Sequence, residues 1–137
     1  MGQRAVRGQE LMPNRSLSVL VVDDDSRFRG SVVGLLSKVT GVRVLGEASD
    51  GDEAVRLAIE RRPQVVLMDI TMPGAGGLEA IRRTKAVLPD TKVIVITVHA
   101  EAVYQRAAAQ CGADGFVLKK NVRGELLSTL YRVAGHA

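Results

Sequence analysis

Two stretches of the chain are apolar, but for Ser18, and show no polar alternation, Leu17 to Val22 and Val65 to Met68. A half-buried strand alternates with a period of two, so an unbroken run of this kind reads as a strand buried on both faces. Lys92 to Thr97 has the same character, with Val-Ile-Val-Ile at its centre, and residues 42–48 and 115–119 complete a set of five strands. Between them the spacing becomes helical. Phe28, Val32, Leu35, Leu36 and Val39 share one face, followed by Ala54, Val55, Ala58 and Ile59, then by Leu78, Ile81, Lys85 and Leu88. An alanine-rich helix is expected over about 102–111, and a last one over about 123–134 with Leu126, Leu127, Leu130 and Val133 inward. The boundaries carry their own signals. Ser26 is expected to cap the first helix. Asp50 and Glu53 have capping-box spacing ahead of the second, Pro63 stops it at Arg62, and Gly112 closes the fourth. Strands alternating with helices at this length require parallel pairing through right-handed crossovers. The predicted architecture is α/β, a flavodoxin-like doubly wound five-stranded parallel sheet in the order 2-1-3-4-5 with five helices.

Composition changes this picture little. With 137 residues, 46% hydrophobic and 25% charged, the chain is an ordinary globular sequence with room for one core. Aromatics are only 3% and Trp is absent, so Val, Leu, Ile and Ala must fill the interior. Residues 1–15 hold Gly, Gln, Arg, Pro and Asn without periodicity, so a flexible tail is expected over 1–16 and a folded domain over 17–135. No apolar run approaches the ~20 residues of a membrane span. A single cysteine, Cys111, excludes an internal disulfide and suits a reducing, cytoplasmic setting. The net charge of +4 is spread over scattered basic residues and short doublets such as Arg61-Arg62 and Arg82-Arg83, without interleaved aromatics for stacking on bases. Solvated helix faces account for it better than a nucleic-acid surface.

Chemistry enters at the strand exits. The first strand ends in Asp23-Asp24, the third in Asp69, the fourth in Thr97 and the fifth in Lys119. In the predicted order these strands are neighbours, so the side chains converge at the carboxyl edge of the sheet, where open α/β folds place their ligands. Three carboxylates brought together repel one another unless a cation sits among them. An open cluster of oxygen ligands suits a hard ion that keeps water, such as Mg²⁺. A lysine and a hydroxyl opposite the carboxylates are what an incoming phosphoryl group needs for charge neutralisation and orientation.

With these residues in place the chain resembles the receiver domain of a two-component response regulator. The carriers are Val-Val-Asp23-Asp24, Asp69-Ile-Thr-Met-Pro73-Gly, Thr97 after Val-Ile-Val-Ile, and Gly112-Ala-Asp-Gly-Phe116-Val-Leu-Lys119, in order and correctly spaced across about 17–134. The resemblance implies that Asp69 is the phosphoacceptor, taking its phosphoryl group from a phosphohistidine on a sensor histidine kinase. It implies Mg²⁺ held by Asp23, Asp24, Asp69 and the backbone carbonyl of Thr71. Lys119 would pair with a phosphoryl oxygen, and Thr97 would donate its hydroxyl to another. Phe116 stands at the switch aromatic, turning into the space that Thr97 vacates, and Pro73 shapes the acceptor loop. Lys120 stands where the family often has proline. The resemblance further implies a switched face of helix 4, strand 5 and helix 5, where Tyr104, Arg106, Arg123 and Arg132 would meet a partner or a second copy of the chain. Regulators of the most similar kind reach DNA through a helix-turn-helix output domain, which this sequence does not contain.

Taken singly, each residue has a plainer role: Asp25 as a helix cap, Thr97 as a β-branched strand end, Phe116 as a core residue, Cys111 as a small residue at a helix end, His99 as an exposed side chain. Only the convergence of Asp24, Asp69 and Lys119 argues against that account. Three alternatives remain at this point. A phosphatase-like enzyme with an aspartyl nucleophile would want a second acid where Thr71 stands. A binding module of the same fold would never take phosphate, and a flavin protein would need a phosphate loop where Asp23-Asp24-Asp25 stands. The preferred reading is a signalling domain that catalyses only its own phosphotransfer and slow autodephosphorylation, controlling an output such as transcription.

Overall fold

The structure, a computed structural model, describes residues 16–72 and 76–135. Its strands are β1 (Leu17–Val22), β2 (Val42–Ala48), β3 (Val65–Met68), β4 (Lys92–Thr97) and β5 (Gly115–Leu118). Its helices are α1 (Ser26–Ser37), α2 (Gly51–Arg61), α3 (Gly76–Val87), α4 (Ala102–Gln110) and α5 (Val122–Ala134). The sheet runs β2-β1-β3-β4-β5 with every pairing parallel, as the alternation of elements predicts. Residues 1–15 of the expected tail, and Pro73, lie outside the described residues.

Each apolar run divides its side chains between two cores. Leu20, Val22, Val66, Met68, Val93 and Val95 face a layer with Ala54, Ala58, Ile81 and Ala108 of α2, α3 and α4. Val19, Val21, Val65, Leu67, Ile94 and Ile96 face the opposite layer with Val32, Leu36, Leu126 and Leu130 of α1 and α5. Burial on both faces is why these strands carry no polar alternation; each fully buried Val or Leu contributes about 1.5–3 kcal/mol. The outcome is a rigid platform whose carboxyl edge fixes the loops that follow β1, β3, β4 and β5.

Three local expectations are corrected. Asp25, not Ser26, caps α1: its side chain accepts from the N–H groups of Arg27 and Phe28, and Ser26 is the first helical residue. A carboxylate one residue earlier reaches the same orphan donors and also favours the positive end of the helix dipole. Ile59 is 42% exposed, whereas Leu57 is buried. The buried stripe Gly51, Ala54, Val55, Ala58 meets the sheet and α3, and Ile59 is rotated beyond it. β5 stops at Leu118, so that Lys119 opens a single 3₁₀ turn (Lys119–Asn121) leading into α5. Two other boundaries follow their signals. Asp50 accepts from the Glu53 N–H while Glu53 reaches back to the Ser49 N–H, and Gly112 adopts φ +109° after α4.

Candidate acidic phosphoryl-acceptor site

The carboxyl edge is built by extending the ladder one residue past each strand. The Asp23 N–H donates to the Ala48 carbonyl (3.0 Å) and the Asp69 N–H to the Val22 carbonyl (3.1 Å). Both acids are thereby planted by the sheet, and both are buried, at 3% and 4% exposure. Asp24, between the strand and the α1 cap, is exposed. Ligand oxygens of Asp23, Asp24 and Asp69 all lie within 4.8 Å of one another.

Lys119 closes the site. Its Nζ lies 2.8 Å from Asp23 Oδ2 and 3.1 Å from Asp69 Oδ2, bridging two of the acids. The same ammonium sits 4.4 Å from the centre of the Phe28 ring, a cation–π contact from α1. The second oxygen of each buried acid is also held. Asp23 Oδ1 accepts from the Asp25 N–H (2.8 Å), and Asp69 Oδ1 accepts from the Thr71 N–H (3.0 Å) and hydroxyl (2.9 Å).

The electrostatics are unbalanced toward negative charge. Burial pushes the Asp23 carboxyl above its ordinary range; Lys119 and the Asp25 N–H oppose this, and the charge of Asp69 adds to it. Burial would lower Lys119, but its hydrogen bonds and charge attraction to Asp23 and Asp69 outweigh that and hold the ammonium above its ordinary value. One lysine thus bridges two of three clustered carboxylates. Clustered oxygen donors with one exposed member, and a buried acid that is costly to ionise, fit a hard divalent cation approached from solvent.

Thr97 is fully buried at the end of β4, and its hydroxyl oxygen accepts from the His99 N–H at 3.3 Å. Among the described residues no hydrogen bond joins it to Asp69 or Lys119. Phe116 pairs with Val95 in the β4–β5 register, which puts it on the sheet face of Thr97, two residues along β4 from Val95. Its ring is half-buried, packs on the same core as Tyr104, and lines a cavity of about 260 Å³ between α4, β5 and α5 that Arg132 also borders. His99, expected to be exposed, is half-buried and stacked on Tyr104 at 4.3 Å. Tyr104 brings an aromatic face to this loop, so the imidazole has something to cover.

The four residues Asp23, Asp24, Asp69 and Lys119 therefore come together as their spacing predicts, whereas Thr97 and Phe116 stand beside the cluster. Several participants escaped the sequence reading. The Thr71 side chain braces Asp69, Phe28 lies under Lys119, and Gly77 packs so tightly that a Cβ there would lie 2.3 Å from the Asp69 carbonyl oxygen. A glycine in the run Gly74-Ala75-Gly76-Gly77 signals a loop, but which of them touches the Asp69–Ile70 backbone is a tertiary fact.

Comparison with known proteins agrees with this architecture. A sequence model of the response regulator receiver domain matches residues 19–131. The chain is 39% identical over 117 residues to the response regulator GacA of Pseudomonas aeruginosa, covering 85% of this chain and 55% of the relative. It is 38% identical over 117 residues to the response regulator UvrY of Escherichia coli, covering 85% and 54%. The chain thus spans about half the length of the curated relatives it matches. Among solved structures, the signal receiver domain of the response regulator NarL from Mycobacterium tuberculosis superposes with a TM-score of 0.84 at 35% identity, over 90% of this chain and 99% of that one. Fold, edge chemistry and relatives converge: the chain belongs to the response regulator receiver domain family, a signalling domain of two-component systems.

Proposed function

We propose that Asp69 is the phosphoacceptor, and that its phosphorylation by a sensor histidine kinase switches an output. The observation that carries this is the Lys119 ammonium bridging the two buried carboxylates of Asp23 and Asp69 at a sheet edge open through Asp24. A carboxylate oxygen of Asp69 attacks phosphorus, the phosphorus–nitrogen bond of the donor phosphohistidine breaks, and the imidazole leaves with the electron pair, giving an acyl phosphate. Thr71 holds the carboxylate in its attacking orientation through the contacts to Oδ1. Lys119 would pair with the arriving phosphoryl oxygens, and its contacts to both buried carboxylates support this. The residues to hold Mg²⁺ are Asp23, Asp24, Asp69 and the Thr71 carbonyl, and the ion would neutralise charge on the transferring group.

The new group adds about two negative charges beside Lys119. Thr97 then turns its hydroxyl from the His99 N–H toward the phosphoryl oxygens, and Phe116 moves into the space released. The cavity against which Phe116 sits supports this, because a half-buried ring has room to move. The remodelled face of α4, β5 and α5, carrying Tyr104, Arg106, Arg123 and Arg132, would meet a second copy of the chain or an output module. DNA would be reached only through such a module, outside this sequence, in a regulator acting on transcription. The folded unit is 17–135, its setting cytoplasmic; among the described residues no helix is long and apolar enough to cross a membrane.

Intact mass after incubation with acetyl phosphate tests this reading. A single phosphoryl increment is expected in the wild type, lost on removing Mg²⁺ and in Asp69→Asn. An unchanged wild-type mass with both acetyl phosphate and a phosphorylated histidine kinase would favour the binding module that never takes phosphate.

A further inference from the structure

The third acid of the cluster raises a separate question. Among the described residues no hydrogen bond holds the Asp24 side chain, yet its oxygen lies within 4.8 Å of those of Asp23 and Asp69. Its position must come from its backbone. The peptide unit between Asp23 and Asp24 is planar, so anchoring the Asp23 carbonyl fixes the rotation of that plane and the direction in which Asp24 departs. That carbonyl accepts a hydrogen bond from Arg29 Nη1 at 2.6 Å. The other arm of the same guanidinium, Nε, donates to Glu47 Oε1 at 2.9 Å. Arg29 is in turn largely buried, with 19% of its side chain exposed. A planar fork with two arms engaged at once is a geometric clamp, which a lone ammonium could not reproduce.

Strand register puts Glu47 where it can serve. The β1–β2 pairing shifts by one residue after Val19, from Val44 to Gly46, so Val21 faces Glu47 instead of Gly46. The bulge therefore delivers a carboxylate to the flank of the loop that carries Asp23 and Asp24.

Resting on the phosphoacceptor reading above, we propose that Arg29, oriented by Glu47, is a positioning residue for the divalent-cation site: it sets the Asp23–Asp24 peptide so that Asp24 can ligate Mg²⁺. The sign of its effect separates this from simple electrostatics. A positive charge near the cluster repels a cation, so removing it would tighten binding if charge were all that mattered. Loss of a positioning contact weakens binding, and outer partners of metal ligands typically contribute about 10–100-fold in affinity.

The experiment is calorimetric Mg²⁺ titration of the wild type, Arg29→Ala, Arg29→Gln, Glu47→Gln and the Arg29→Ala/Glu47→Gln double variant, each first checked for cooperative thermal unfolding. Arg29→Ala should weaken binding about tenfold, and Arg29→Gln, which keeps a donor without the charge, should recover part of the loss. Glu47→Gln should weaken it less, and the double variant should be no worse than Arg29→Ala, because Glu47 acts through Arg29. Unchanged or tighter Mg²⁺ binding in both folded Arg29 variants would overturn the proposal, as would fully additive effects of Arg29→Ala and Glu47→Gln. A wild type that binds no Mg²⁺ would instead defeat the phosphoacceptor reading on which it rests.

Discussion

Asp23 shows how a single buried carboxylate divides stability from function. It is almost fully buried, shares one lysine with Asp69, and has its acidity weakened chiefly by that burial. A group whose folded-state pKa is raised stabilises the fold while protonated and loses that contribution as pH rises through the raised value. The metal-free domain should therefore lose stability as pH climbs above 3.8, the ordinary value for this group, through its raised folded value. Asp23→Asn should flatten that part of the curve and stabilise the metal-free domain near neutral pH by roughly 1 kcal/mol. The same variant should remove the added stability that Mg²⁺ gives the wild type. Thermal unfolding across pH, with and without Mg²⁺, reads all three effects; a variant less stable than the wild type without metal would contradict the electrostatic account. At this scale the sequence was informative wherever a residue's place follows from standing at a strand exit. Asp23, Asp69 and Lys119 were legible for that reason. The Thr71 hydroxyl, the Phe28 ring under Lys119 and the Arg29 fork were not, since each contact depends on the rotation of an exit loop or helix against the sheet.

Among elements, the join between β3 and α3 carries Asp69, the proposed acceptor. Gly77, in the first turn of α3, approaches the Asp69–Ile70 backbone so closely that a Cβ would lie 2.3 Å from the Asp69 carbonyl oxygen and 2.5 Å from the Ile70 Cα. No side chain has space there, and the obstruction is backbone, which cannot swing aside. Gly77→Ala should push α3 away from the acceptor loop, costing about 1–3 kcal/mol and slowing phosphorylation of Asp69. Denaturant unfolding and the rate of phosphoryl uptake check this; Gly76→Ala serves as comparison, since its Cβ would meet nothing within 4 Å, although its φ of +76° adds strain. A Gly77→Ala variant with wild-type stability and uptake would contradict the packing account. The elements themselves were largely readable, because strands buried on both faces leave unbroken apolar runs and helices leave stripes. Ile59 was misread because a stripe marks one face of a helix but not its edges, and the neighbour that ends the stripe at Ala58 is α3, remote in sequence. Asp25 and Ser26 are both good capping residues standing side by side, and only the backbone turn at Asp25 decides between them.

For the molecule as a whole, the doubly wound sheet acts as a frame with two separable regions at its carboxyl edge. One is the acidic cluster with Lys119, rigidly planted by β1, β3 and β5. The other is the Thr97–His99–Tyr104–Phe116 group, where a 3.3 Å hydrogen bond from the His99 N–H to Thr97 and a stacked ring pair are among the contacts of the loop after β4. In the proposed switch, a local change of charge at the first region would bias the second without refolding the core. The fold class and strand order were legible from the alternation of patterns, but the incomplete burial of Phe116 was not, since it rests on how far the ring is covered by α4. The central claim is chemical: Asp69, and not a neighbouring acid, receives the phosphoryl group. The most direct measurement is borohydride reduction of the protein after phosphotransfer, followed by peptide mass mapping. An acyl phosphate is reduced to the alcohol, so homoserine should appear at position 69 and nowhere else. Homoserine at position 23 or 24, or none in protein shown by intact mass to be phosphorylated, would contradict the account.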